Sequence, residues 1–291
     1  MAGPRGRGAV EPLSGAGPHI ASPSNPRVRA AAALRDRRER ERTGRIVIDG
    51  ARELLRASDA GVAIETVFVC ESLCRSTACA ELLGRLGNVD PRVVEVSEAA
   101  FAKLAFGDRA EGVVGVAVRP DLSLAGINLR DDPLVAVVEA VEKPGNLGAI
   151  ARSADGAGAD ALIVADPRTD PYNPNAIRAS LGTIFSLPVA AAGGVETLVW
   201  LRDLGARIVV ARVDGDETYT GVDLTGPLAI VLGSEAEGLS DAWLGPGVVA
   251  VRLPMLGVAD SLNVSVAAGV LLYEARRQRD AASQRDATAE P

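Results

Sequence analysis

The chain has 291 residues, room for roughly two domains of about 150 residues each. Its 47% hydrophobic and 24% charged residues exclude a collagen-like, coiled-coil or wholly disordered chain. The net charge of −7 hides an asymmetry: Pro23 to Arg45 carries eight arginines against three acids, +5, which leaves −12 on the rest. That split is expected of a nucleic-acid-contacting module joined to a second domain.

Residues 1–22, rich in Gly, Pro and Ala without a period, read as a disordered leader. They lack the apolar stretch of a secretory signal and hold the only histidine, His19, so neither a His-based triad nor a metal site is expected. Asn25-Pro26 then opens a helix running from about Arg27 to Arg42, in which Leu34 is nearly the only large apolar residue. Two readings compete there: a solvated face of Arg/Glu pairs, and a phosphate-contacting face using Arg27, Arg35, Arg37 and Arg38. The arginine excess favours the second.

Short apolar runs alternate with helical segments from there on. Strands are expected at 46–48, 64–70, 92–96 and 113–118, with helices at 51–60, 76–86 and from Ser97 to Phe106. Cys70, Cys74 and Cys79 are odd in number and lack CxxC spacing, so they read as reduced thiols. This gives an α/β unit over 23–120, followed by a linker at 121–132.

The second unit, 133–277, is a further α/β alternation. Continuous apolar runs at 134–141 and 228–232 are those of strands buried on both faces. Strands are also expected at 161–165, 187–190, 207–213 and 248–253. Helices are expected at 146–157, 175–181, 195–204 and 263–277, and a disordered tail at 278–291. No apolar run approaches the roughly 20 residues of a membrane span, so the expected location is the cytoplasm.

Three segments that follow predicted strands carry the candidate chemistry. In EKPGNLGAIARSADGAGA, Asn146 works from a loop and Arg152 from a helix, or the two are simply a cap and a surface arginine. In LGSEAEGLS, Gly233, Ser234 and Gly238 let backbone approach a ligand, while Glu235 and Glu237 would repel a phosphate and suit a cationic or nucleoside-bearing one. In RLPMLGVADSLNVSVAAG, Ser261 and Asn263 either cap the last helix or face a ligand at the strand ends. The string Gly156 to Ala161 has the spacing of a dinucleotide fingerprint but follows a helix and precedes a strand, so its glycines read as cap and turn residues. No GxxxxGK[ST] loop is present.

NLGAIAR, GSEAEGLS and LPMLGVADSLNVSVA resemble, in order and spacing, the three signature motifs of the SpoU/TrmH class of RNA ribose 2′-O-methyltransferases in the SPOUT superfamily. SNPRVRAAAALRDRRERERTGRIVIDGARELL is similar to that family's N-terminal, ribosomal-protein-like substrate-binding domain. The resemblance implies a C-terminal trefoil knot, a homodimer and S-adenosylmethionine as cofactor. It places Leu232, Gly233, Gly238, Leu253, Met255 and Leu262 around the cofactor. Arg152 falls at the catalytic arginine, as a base or as a phosphate clamp, with Asn146, Glu235, Ser261 and Asn263 around it, and Arg178 falls on the substrate side. Among members of this layout are enzymes of 23S rRNA, including antibiotic-resistance methyltransferases. A tRNA substrate, a catalytically silent RNA-binding protein and a nicotinamide-dependent oxidoreductase stay open as alternatives.

Overall fold

In the computed structural model, which describes residues 19–87, 92–106 and 111–289, the chain divides between Val118 and Arg119 into two compact units. The first holds α1 (Pro26–Ala33), α2 (Arg37–Thr43), β1 (Arg45–Asp49), α3 (Ala51–Asp59) and β2 (Ile64–Val69). It continues with α4 (Thr77–Leu86), β3 (Val93–Glu95), α5 (Glu98–Leu104) and β4 (Val113–Val118). Its four-stranded sheet has the order β1-β4-β2-β3, with β4 antiparallel to both neighbours and β3 parallel to β2.

The basic segment is two helices where the sequence predicts one. Leu34 turns into the core of the first unit, and Asp36 caps α2 by accepting from the Arg38 N–H at 2.7 Å. Arg40 is fully buried and donates to the Leu34 and Arg35 carbonyls at 2.9 and 2.8 Å, satisfying groups that the end of α1 leaves open. The leader also ends earlier than expected: Ile20 is buried and bridges to Val96, and the expectation for residues 1–18 lies outside the described residues. Cys74 and Cys79 form a disulfide across a Cα separation of 5.8 Å, against the expected thiols, and only Cys70 is free.

The second unit holds β5 (Leu134–Glu139), α6 (Pro144–Gly156), β6 (Ala161–Ala165), α7 (Pro174–Ala179), α8 (Thr183–Ser186), β7 (Val189–Ala192) and α9 (Gly194–Asp203). It closes with β8 (Arg207–Ala211), β9 (Glu217–Thr218), β10 (Leu228–Leu232), β11 (Val248–Arg252) and α10 (Val264–Ala289). All seven strands run parallel in the order β7-β6-β5-β10-β8-β11-β9. β5, β6 and β10 are buried at every residue, as their unbroken apolar runs require.

Three boundaries differ from expectation. Pro144 occupies the first turn of α6, so the helix begins before Asn146, which therefore sits on the helix and not on a loop. The helix expected at 175–181 breaks into α7 and α8 around Leu181 and Gly182, both left-handed at φ +55° and +83°. The segment expected as a disordered tail continues α10 to Ala289. Arg279 anchors it there, donating to the Asp132 and Pro133 carbonyls at 3.1 Å each and to that of Gly226. Within the linker expected at 121–132, Leu124, Ile127 and Leu129 pack against the core of the second unit.

Candidate active site

Parallel register gathers the site. Leu232 at the end of β10 lies level with Val138 of β5 and Ala211 of β8, and Ala211 lies level with Val251 of β11. The loops leaving these strands therefore emerge at one edge of the sheet, where ligands of open parallel sheets bind. They enclose a cavity of about 660 Å³. Leu232, Gly233, Gly238, Leu253, Met255 and Leu262 all line it, and so do Glu235, Ser261 and Asn263.

The loop after β10 is folded back on itself. Ser234 and Gly238 exchange backbone hydrogen bonds at 3.0 and 3.1 Å, Gly238 is left-handed at φ +68°, and the Ser234 hydroxyl accepts from the Glu237 N–H at 3.1 Å. A side chain at Gly233 would strike the backbone of Gly238 and Leu239, so only glycine lets the loop close. Two tethers hold it from outside. The buried Glu139 carboxylate accepts from the Ser240 N–H and hydroxyl, both at 2.7 Å. Arg168 donates to Glu142 and to Glu237, also at 2.7 Å each.

The lining suits S-adenosylmethionine. Leucine, methionine and backbone surfaces can cover an adenosine and a methionine chain, and the lining carries four acids, Asp214, Glu235, Glu237 and Asp260, against Lys143 and Arg212. Arg212 donates to Asp214 at 2.8 Å and holds its carboxyl below the ordinary range, so both stay charged and largely cancel. The balance left on the lining is negative, which suits a sulfonium cation better than a pyrophosphate.

Beside the cavity, three of the expected catalytic residues touch. The Asn146 amide donates to a Glu235 oxygen, and the Asn263 amide donates to Asn146 Oδ1 at 3.4 Å. Arg152, on α6 with Asn146, is exposed, with no hydrogen bond or ion pair among the described residues. Arg178 lies on α7, which packs closely on α6 because Gly148 leaves room for Ala179 and Ser180. Sequence reasoning missed the two tethering residues Glu139 and Arg168, and Lys143, which lines the cavity; the acid ending an otherwise apolar strand was the one visible signal, for Glu139. No group of three or more His, Cys, Asp or Glu among the described residues is placed to hold a metal.

The first unit divides the expected RNA-binding arginines. Arg27 and Arg38 are exposed, as is Arg29, and among the described residues their side chains make no hydrogen bond or ion pair. Arg37 donates to Glu41 at 2.7 Å. Arg35 is half-buried, donates to the Lys103 and Ala105 carbonyls and lies 5.6 Å over the Phe106 ring. These contacts tie Arg35 into the first unit, where the expectation was a phosphate contact.

Residues 133–273 match the SpoU rRNA Methylase family, and residues 25–115 match the MRM3-like substrate binding domain. The chain is 35% identical over 257 residues to the 23S rRNA (uridine(2479)-2′-O)-methyltransferase of Streptomyces viridochromogenes, covering 85% of this chain and 88% of the relative. The chain belongs to the SpoU rRNA methylase family. A second relative, the 23S rRNA (adenosine(1067)-2′-O)-methyltransferase of Streptomyces azureus, is 32% identical over 91% of this chain and 98% of its own length. Among solved structures, the SpoU methyltransferase AviRb from Streptomyces viridochromogenes in complex with AdoMet is similar, with TM-score 0.77 and 33% identity. That match covers 87% of this chain and 98% of AviRb.

Proposed function

We propose that this chain is an S-adenosylmethionine-dependent methyltransferase of ribose 2′-hydroxyls in RNA, acting on 23S rRNA. The observation that carries the reading is one site at one sheet edge: an acidic-rimmed, apolar cavity with the Asn146–Glu235–Asn263 contact beside it. The relatives named for 23S rRNA supply the substrate class. An enzyme of ribosomal RNA works where ribosomes are made, which favours the cytoplasm; no helix among the described residues is long and apolar enough to cross a membrane.

S-adenosylmethionine, when bound, supplies an electrophilic methyl group. Leu232, Leu253, Met255 and Leu262 would cover it, and Gly233 and Gly238 would bring backbone against it. Arg152 clamps the target phosphate: a guanidinium presents only donors, in a fork that matches phosphate oxygens. Arg178 acts on the same, RNA side. The departing hydroxyl proton needs an acceptor, and the Glu235 carboxylate, oriented by Asn146, is the one this cluster presents. Asn263 and Ser261 orient the groups around it, so most of the rate comes from positioning.

The working unit in this proposal is a homodimer with a C-terminal trefoil knot. Leu256 and Val258 on the loop beside the cavity are fully exposed, and Val266 and Tyr273 continue the apolar surface along α10. A second copy covering this surface would also close the cavity rim. The chain between β10 and α10, which lines the cavity from both sides, is where the knot would lie.

The test is transfer of a tritiated methyl group from S-adenosylmethionine to ribosomal and transfer RNA, offered separately from cells lacking the gene. Label in a 2′-O-methyl nucleoside of large-subunit RNA supports the reading, and mapping that nucleotide separates a housekeeping from a resistance role. Label confined to tRNA overturns the substrate, and no label from folded protein overturns the activity.

A further inference from the structure

Ser265 is two residues beyond Asn263, in the first turn of α10, and the proposed mechanism gives it no part. Its N–H and its hydroxyl both donate to Asn263 Oδ1, at 2.9 and 2.7 Å. Asn263 passes the chain on through Nδ2 to Asn146 Oδ1, and Asn146 Nδ2 donates to Glu235. The Ser265 contacts, two residues apart, cap the start of α10, whereas the two that follow span 117 and 89 residues of sequence and carry the chain beyond that cap.

The direction of this chain is fixed from both ends. Asn146 Nδ2 donates to the Glu235 carboxylate, so the other end of that amide is oxygen. A backbone N–H only donates, so the Asn263 atom facing Ser265 is oxygen and its other end is nitrogen. The two amides then meet nitrogen to oxygen, the one pairing that works. A side-chain amide turned by half a rotation would set like against like at both of its contacts. With only the backbone N–H holding it, Asn263 loses the shorter of its two orienting bonds.

We infer that Ser265 is a positioning residue: its hydroxyl sets the Asn263 amide, and through Asn146 the orientation of the Glu235 carboxylate. This rests on the methyltransferase reading for its effect on rate, though not for its effect on the amide itself. Threonine at this position keeps the hydroxyl, and valine has the same shape without it, so the pair isolates the hydrogen bond from packing.

The experiment compares wild-type, S265T, S265V, N146A and the S265V/N146A double variant as full chains. Three readouts are taken: methyl transfer to 23S rRNA, S-adenosylmethionine Kd by calorimetry, and side-chain amide ¹⁵N spectra of the cofactor-free protein. S265V is expected to lower kcat about three- to tenfold, the range of one hydrogen bond, with cofactor Kd unchanged. S265T is expected to restore kcat, and S265V to add less than about twofold on the N146A background, since coupled residues are not additive. The Asn263 amide resonances are expected to move in S265V and hold in S265T. A wild-type kcat in S265V, or the same loss on the N146A background, overturns the proposal, as does an unmoved Asn263 amide. A wild-type protein that labels no RNA while S265V still shifts the Asn263 amide overturns the methyltransferase reading and leaves the orienting role standing.

Discussion

Replacing Arg35 with alanine should destabilise the first unit and leave its RNA contacts in place. The guanidinium donates to the Lys103 and Ala105 carbonyls, which end α5, and lies over the Phe106 ring. A hydrogen bond from a charged group contributes about 1.5–3 kcal/mol when buried, and a partly exposed cation–π contact about 0.5–1 kcal/mol. Arg35 is half-buried and its Nε is buried without a partner, which offsets part of this. A net loss of about 2 kcal/mol is therefore expected, or roughly 8–16 °C in the unfolding midpoint of a domain of about 100 residues. R35K should recover part of it, because both carbonyls are met by the one nitrogen Nη2, which an ammonium can replace, while the planar stack on the ring is lost. R38A should do the reverse, leaving the midpoint within about 2 °C, weakening RNA binding and lowering its salt slope by about one. The assay is thermal unfolding of the full chain, paired with RNA titration at several salt concentrations, below the melting range of each variant. If R35A melts with wild-type and loses RNA affinity as R38A does, Arg35 is a phosphate contact and the structural argument fails.

Three further outcomes follow from the second unit. R152A should abolish turnover with cofactor affinity intact, while R152K retains measurable turnover in single-turnover assays; a dead R152K with normal RNA binding would refute the clamp. G233A should weaken S-adenosylmethionine binding at least about tenfold by calorimetry, since its methyl strikes the Gly238 and Leu239 backbone. Asp223 is held well below the ordinary carboxylate range by the Thr225 hydroxyl first, then by Arg207 and the Thr225 N–H. A depressed folded pKa gives stability that is present above the unfolded value near 4 and lost as pH falls through the folded one. D223N should then cost under about 1 kcal/mol at pH 7, the pair being largely exposed, with the gap to wild-type closing in acid. A gap that widens in acid denaturation would reverse the sign of the argument.

Burial on both faces made β5 and β10 legible, because a strand with no solvent side needs an unbroken apolar run. The α6 start was misjudged by two residues, and with it the footing of Asn146, since Pro144-Gly145 reads equally as a turn or as a first helical turn. The continuation of α10 was illegible for a different reason. Arg279 is a charge in a polar-looking tail until the Asp132, Pro133 and Gly226 carbonyls, at least 53 residues away in sequence, come within reach of it.

The candidate site shows the same division. Its residue types were visible as motifs, and the resemblance to a family supplied their roles. Spacing, however, carried no sign that Asn146, Glu235 and Asn263 would touch, because register between β5 and β10 brings them together, not local pattern. The arginines state the physical point most sharply. Arg35, Arg38 and Arg40 lie within six residues, and composition treats them alike. Arg40 closes the carbonyls between two helices, Arg35 closes those at the end of a third, and Arg38 meets no such group. A guanidinium becomes structural wherever the fold leaves carbonyls open beside it. The charge left over for RNA is therefore set by where the helices end, and a count of arginines overestimates it.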